Sequence, residues 1–117
     1  MAVDIQKLFN EELPDLLVNQ SGAAKQIGGK LQIQIIGQNG GEWFLDLSDT
    51  GPRVAKGNPG GADATISITA QDFQSYYENP RVNGTSLLFA GRLKIIGNQM
   101  FGLRLSKVLG LFQSSDR

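Results

Sequence analysis

Between Leu31 and Ile35 the chain alternates strictly, with Leu31, Ile33 and Ile35 set against Gln32 and Gln34. A period of two marks a half-buried strand. Gln38-Asn39-Gly40-Gly41 follows, and Asn-Gly accepts positive φ at both centres of a tight turn, so a hairpin is predicted with Glu42–Leu47 as its return. Trp43, Leu45 and Leu47 then share one face, and Glu42, Phe44 and Asp46 share the other, which reads as solvated. Ser48–Pro52 is a turn, Arg53–Lys56 a short third strand with Val54 inward, and Asn58–Gly61 a break. Ala64–Ile68 is a fourth strand, with Ala64, Ile66 and Ile68 on one side. Phe89–Asn98 gives a fifth, where Leu93 and Ile95 alternate with Arg92 and Lys94.

Elsewhere the period becomes helical. Residues 3–17 carry Ile5, Leu8, Phe9, Glu12 and Leu16 near helical spacing, which predicts an amphipathic helix opened by Asp4, with Pro14 starting a second turn. Residues 19–29 are small and polar and read as a turn or loop. Thr69-Ala70-Gln71-Asp72 fits a capping box and opens a helix holding Phe73, Tyr76 and Tyr77. Pro80 ends it, and a loop through Gly84 leads to one or two helical turns over Thr85–Ala90. Asn98 caps a last helix with Phe101, Leu105, Val108, Leu109 and Phe112 on one stripe. Met100, Leu103 and Leu111 lie outside that stripe. Covering one sheet face does not require so much apolar surface; the surplus either packs on the first helix or borders an apolar cavity.

Composition removes most chemistry from this frame. The 117 residues are 40% hydrophobic, enough for one core in a single domain over 1–117. Cysteine and histidine are both absent, which excludes disulfides, zinc fingers, iron–sulfur clusters, thiolate nucleophiles and imidazole bases and leaves only oxygen ligands for a metal. Gly28-Gly29-Lys30 is followed by Leu31 and fails as a phosphate loop. Glu42 and Asp46 read as surface acids and Asp72 as a cap, while Ser106 and Lys107 are helix neighbours that point apart. No catalytic set, metal or cofactor is expected, and the chain reads as a non-enzyme. The net charge is zero, but residues 1–50 hold seven acids and three lysines, and residues 51–117 hold four acids and eight basic residues. Those runs are either two solvated faces or a basic surface for an anionic partner. Nucleic acid is not expected, because the chain is neutral and its aromatics fall mostly on predicted helices.

The order of these parts resembles the sterol-carrier-protein type-two domain family. The carrying motifs are EWFLDLSD (Glu42–Asp49), ADATISITAQDF (Ala62–Phe73) and FAGRLKIIGN, followed by the closing helix FGLRLSKVLGLF. The residues that match are Asp63, Thr65, Asp72 and Phe73, then Phe89, Gly91, Arg92, Leu93, Lys94, Ile95 and Gly97. The resemblance covers nearly the whole chain. It departs where the family has a Gly-Lys-Leu-x-Pro turn and this chain has YYENPRVNGTS, a change at the pocket entrance.

The resemblance implies an α+β fold: a five-stranded sheet with helices covering one face, and an amphipathic C-terminal helix bounding an apolar pocket. It implies a non-catalytic carrier holding a fatty acid, acyl-CoA, sterol-like or isoprenoid ligand, with transient membrane contact. The residues expected to touch the ligand tail are Leu8, Phe9, Trp43, Phe73, Phe89, Met100, Phe101, Leu105, Leu109 and Phe112, each otherwise an ordinary core residue. Arg92, Lys94, Arg104 and Lys107 are the basic residues nearest an anionic head group, although Arg92 and Lys94 fall on the strand face away from the pocket. Two alternatives stand beside the carrier. One is an interaction module of the same fold docking a partner enzyme, with little or no lipid binding. The other is a carrier or scaffold in isoprenoid-quinone synthesis. The expected location is cytoplasmic, since the start lacks a basic leader and QSSDR lacks a peroxisomal address.

Overall fold

The alternating segments assemble into one mixed sheet of five strands, in the order β3-β2-β1-β4-β5. In this computed structural model, residues 3–48, 51–102 and 104–115 are described; Asp49, Leu103, Asp116 and Arg117 from the sequence reading lie outside them. The strands are β1 (Lys30–Ile36), β2 (Gly41–Asp46), β3 (Arg53–Lys56), β4 (Ala64–Thr69) and β5 (Lys94–Gly97). β1 and β2 pair antiparallel through a hairpin at the predicted place, but its turn differs: Gly37 and Asn39 take positive φ (116° and 65°), Gly40 does not, and Gly40 N–H closes the four-residue connection on the Gly37 carbonyl at 3.1 Å. β4 joins the other edge of β1 in parallel, and β5 closes on β4 antiparallel. Asp63 fixes the start of the parallel pair: its carboxylate accepts from Lys30 N at 2.9 Å, and its own N–H donates to the Lys30 carbonyl at 2.8 Å.

One row across the sheet is Trp43, Ile33, Ile66 and Ile95, and it faces the helices. The opposite face differs from the solvated surface expected of it. Phe44, Asp46 and Gln32 are buried there, because the segment from β3 to β4 must pass β2 and β1, and Gln32 Nε2 donates to the Gly57 carbonyl at 2.9 Å.

The first helical segment is α1 (Ile5–Lys7), a π turn over Leu8–Glu12, and α2 (Leu13–Asn19). Asp4 caps it through Lys7 N, as expected, and Pro14 sits in the first turn of α2. The π turn has a cause in the sequence. Buried Ile5, Phe9, Leu13 and Leu17 recur every four residues. In an α-helix each step of four overshoots a turn by about 40°, so the stripe would drift by about 120° over this run. One widened turn, in which Leu13 N–H bonds the Leu8 carbonyl, returns the stripe to the core.

Two stretches read as loop are helices. Ser21–Ile27 forms α3: Ala23–Gln26 are good helix formers, Ala24 is fully buried, and Gly28 with φ 71° ends the helix. α4 (Ala70–Glu78) stops as predicted, but Pro80 at once begins α5 (Pro80–Phe89), since proline suits a first helical position as well as it ends the preceding helix. The last strand is correspondingly shorter than the alternation suggests, and Phe89 and Arg92 precede it. α6 (Gln99–Gly102) and α7 (Arg104–Ser115) complete the chain. Asn98 accepts from Met100 N as the anticipated cap.

Candidate functional site

The chemistry-poor composition leaves packing as the main resource, and packing is built around aromatics. Phe9, at the π turn, stacks on Trp43 of β2 with ring centres 4.6 Å apart. Its other neighbour is Phe73 of α4 at 5.7 Å. Phe73 meets Tyr77 at 6.3 Å, and Tyr77 meets Phe112 of α7 at 6.1 Å. A column of rings thus runs from the sheet to the outer helices, at spacings where offset and edge contacts are favourable. Asn10, beside Phe9 on the π turn, accepts from Trp43 Nε1 at 2.9 Å and satisfies the indole.

Leu8, Phe9, Trp43, Phe73, Leu105 and Leu109 are all buried and pack between sheet and helices, where a pocket is expected. Open space bordered by described residues lies one layer further out. A cleft of about 400 Å³ is lined by Glu12, Asp15, Leu16, Asn19, Gln20, Tyr77 and Phe112. That volume falls within the range of small-molecule sites. Glu12 at the end of the π turn and Leu16 and Asn19 of α2 stand one above another, α4 supplies Tyr77, and α7 supplies Phe112. Gln20 Nε2 donates to the Leu111 carbonyl at 3.3 Å and ties the end of α2 to α7. Of the ten residues expected at the tail, Phe112 alone lines this cleft. The missed lining residues are mostly polar, and their signal was the repeat Glu12, Leu16, Asn19 on one helical face.

Phe89 and Met100 do not point inward. Phe89 is 85% exposed, because Pro80, Gly84 and Leu87 take the buried side of α5 and Phe89 falls nearly opposite. Met100 is 75% exposed, and its neighbour Phe101 takes the half-buried position. The Phe101 ring lies over Gly29, and the Arg104 guanidinium sits 3.9 Å above that ring.

The basic residues stand away from the cleft. Arg92 pairs with Asp72 at 3.2 Å, so the acid of the capping box answers a cation while Thr69 alone caps α4. Arg92 and Lys94 border a separate groove of about 290 Å³ on the outer side of β4 and β5. Arg104 is held on Phe101, and Lys107 is exposed.

One buried polar contact joins α4 to α7: Tyr76 Oη and Ser106 Oγ are 2.7 Å apart. Burial pushes the Tyr76 hydroxyl up to about 12, against a smaller lowering by Ser106. Folded Tyr76 therefore keeps its proton where the unfolded residue, with a pKa near 10, has lost it. Its contribution is complete below about pH 10 and declines by about 2–3 kcal/mol as the pH rises toward 12. Tyr76→Phe is expected to cost about 1–2 kcal/mol at pH 7, by stranding Ser106, and to abolish that part of the alkaline decline. Urea midpoints of both proteins at pH 7 and 11 check this: the gap between them should narrow at pH 11.

Comparison with known proteins places this architecture. The sequence pattern of the SCP-2 sterol transfer family matches residues 9–110. Hydroxysteroid dehydrogenase-like protein 2 of Bos taurus is 32% identical over 109 residues, covering 92% of this chain and 24% of that protein. The chain thus spans about a quarter of that relative's length. Among solved structures, apo sterol carrier protein 2 of Yarrowia lipolytica is similar with a TM-score of 0.66 and 26% identity, over 92% of this chain and 84% of that one. Sterol carrier protein 2 of Aedes aegypti, in complex with the C16 fatty acid palmitate, shares the fold with a TM-score of 0.66 at 14% identity, over 95% and 98% of the two chains. The sequence match and the five-stranded α+β architecture agree: the chain belongs to the SCP-2 sterol transfer family of lipid-binding domains.

Proposed function

We propose that this domain is a non-catalytic lipid carrier that takes its ligand at the cleft between α2, α4 and α7. The observation that carries this is the cleft of about 400 Å³ ending on Leu16, Tyr77 and Phe112, with the aromatic column leading inward from its floor. An alkyl chain lodged there leaves water at roughly 0.8 kcal/mol per buried CH₂. Outward movement of α7 opens the way past Phe112 to Phe73, Phe9 and Trp43, and to Leu8, Leu105 and Leu109 around them. Exposed Phe89 and Met100 then serve contact with a membrane during loading rather than the pocket itself. No helix among the described residues is long and apolar enough to cross a membrane, so such contact is peripheral. Fatty acid, sterol-like and isoprenoid chains all fit a carrier that relies on apolar burial.

The test uses the sole tryptophan. Lipid co-purified with the protein is extracted and identified by mass spectrometry, and the protein is titrated with chains brominated near their ends. Saturable quenching of Trp43 is expected, with about tenfold weaker binding in Phe112→Ala. No co-purified lipid together with no saturable quenching would remove the carrier reading. That result would favour a module that docks a partner enzyme, a reading supported by the close packing of Phe9, Trp43 and Phe73 between sheet and helices and by relatives several times longer than this chain.

A further inference from the structure

Among the described residues, one edge of the sheet keeps backbone groups without a strand partner. β3, at one side of the order, packs against α2 and the π turn, whereas β5, at the other, packs on β4 and, past Gly97, on α6. The direction of its free groups follows from the register. Asn98 N donates to the Asp63 carbonyl at 3.2 Å, which continues by one residue the pairing of Ala64 with Gly97. Hydrogen-bonded pairs alternate along an antiparallel ladder, so Thr65 with Ile96 and Ser67 with Lys94 are the pairs that exchange bonds. Ile95 and Gly97 therefore turn their N–H and C=O groups outward. The Gln99 side chain agrees with this direction: its Nε2 reaches round to donate to the Ile95 carbonyl at 2.7 Å. Side chains on the edge divide by face. Ile95 is buried against the helices, while Lys94 and Ile96 stand on the outer face, where Ile96 is 63% exposed. Lys94 is exposed too, and it makes no ion pair among the described residues. It borders the outer groove of about 290 Å³, whose carboxylate, Asp72, is already answered by Arg92.

We propose that β5 is a docking edge for an extended, acidic segment of a partner protein. The segment pairs antiparallel with β5, places an apolar residue opposite Ile96, and places Asp or Glu two positions later opposite Lys94. Its backbone bonds Ile95 and Gly97, and Gln99 holds the Ile95 carbonyl until a partner N–H takes its place. Charge chooses this occupant over a second copy of the chain. A second copy brings the same lysine and no carboxylate to answer it, whereas an acidic strand brings the missing charge to a cross-strand position. The proposal stands apart from the carrier reading, since neither Lys94 nor Ile96 lines the cleft between α2, α4 and α7.

The experiment titrates the whole isotope-labelled protein with the blocked peptide Thr-Thr-Val-Thr-Glu-Thr-Thr, and with its counterpart carrying lysine for glutamate, and follows amide NMR shifts at low salt. Saturable shifts centred on Ile95 and Gly97 are expected, with the glutamate peptide bound about fivefold more tightly than the lysine peptide. Added salt at about 0.5 M should narrow that difference. Lys94→Glu, a change at an exposed position, should reverse the order of the two peptides. Gln99→Ala, which removes the competing donor, should strengthen binding of the glutamate peptide by about threefold. Absence of saturable shifts at Ile95 and Gly97, in the unaltered protein and in Gln99→Ala alike, would overturn the docking edge and leave the carrier reading intact. An order unchanged in Lys94→Glu, or no gain in Gln99→Ala, would overturn it as well. Shifts of the same amides that grow with protein concentration in the absence of peptide would assign the edge to a second copy and overturn the acidic partner.

Discussion

Phe9→Ala is expected to remove about 3–5 kcal/mol of folding free energy, the usual cost of deleting a fully buried phenylalanine. Phe9 is 0% exposed and touches Trp43 on one side and Phe73 on the other, so the lost volume cannot be refilled from solvent. Its neighbours are themselves anchored: Trp43 is hydrogen-bonded to Asn10, and Phe73 is held by Tyr76 and Tyr77. They cannot easily collapse into the cavity, which argues for the upper part of that range. Against a typical domain stability of about 5–15 kcal/mol, the loss brings the protein close to its unfolding threshold. Urea denaturation followed by Trp43 emission reads both quantities at once. A loss below about 1 kcal/mol would mean that the column is not the centre of the core.

Gly29→Ala is the second large effect, expected at about 2–4 kcal/mol from two sources. Gly29 has φ 94°, a region that side chains other than glycine's rarely adopt, and strain there costs about 1–3 kcal/mol. The new methyl would also sit 2.5 Å from Phe101 Cδ1 and 3.3 Å from Arg104 Nη1. The ring must swing away, and it takes with it the stacked guanidinium that holds the start of α7. Hydrogen exchange in α7 should accelerate more than exchange in the middle of β1, since only the sheet end, where the Gly29 carbonyl accepts from Leu47 N at 2.8 Å, adjoins the change. A double-mutant cycle separates the sources. In a Phe101→Ala background the ring clash is gone and the backbone strain and the approach to Arg104 remain, so Gly29→Ala should cost less there. An identical cost in both backgrounds would exclude the ring as the methyl's partner.

What could be read from the sequence was local. The Asn39-Gly40 hairpin, the Thr69 cap, the Asn98 cap and the stripe Leu105, Val108 and Leu109 each depend on residues within a turn or two of one another. α3 was hidden because Ser21 and Gly22 open it and Gly28 and Gly29 follow it, whereas its support is the tertiary burial of Ala24. α5 was hidden because Gly84 reads as a breaker. In the fold it is buried where a Cβ would meet the Tyr76 ring at 2.8 Å, a closeness no sequence pattern announces. The same limit governs the site. Leu16, Tyr77 and Phe112 come from three helices, and only assembly makes them neighbours. Arg92 and Asp72 are twenty positions apart, so alternation alone leaves Arg92 looking available when its charge is already answered.

The widened turn at Leu8–Glu12 has a consequence for the cleft as well as for the core. A helix advances by about 100° per residue, so the one additional residue in that turn sets the azimuth of everything after it. With a uniform α-helix from Ile5 onward, Leu13 and Leu17 would leave the core, and Glu12, Leu16 and Asn19 would be carried round the axis away from Tyr77 and Phe112. The irregularity thus acts as a phase setting: the same local feature that seats Phe9 against Trp43 also aims the charged face of α2 across the gap to α7.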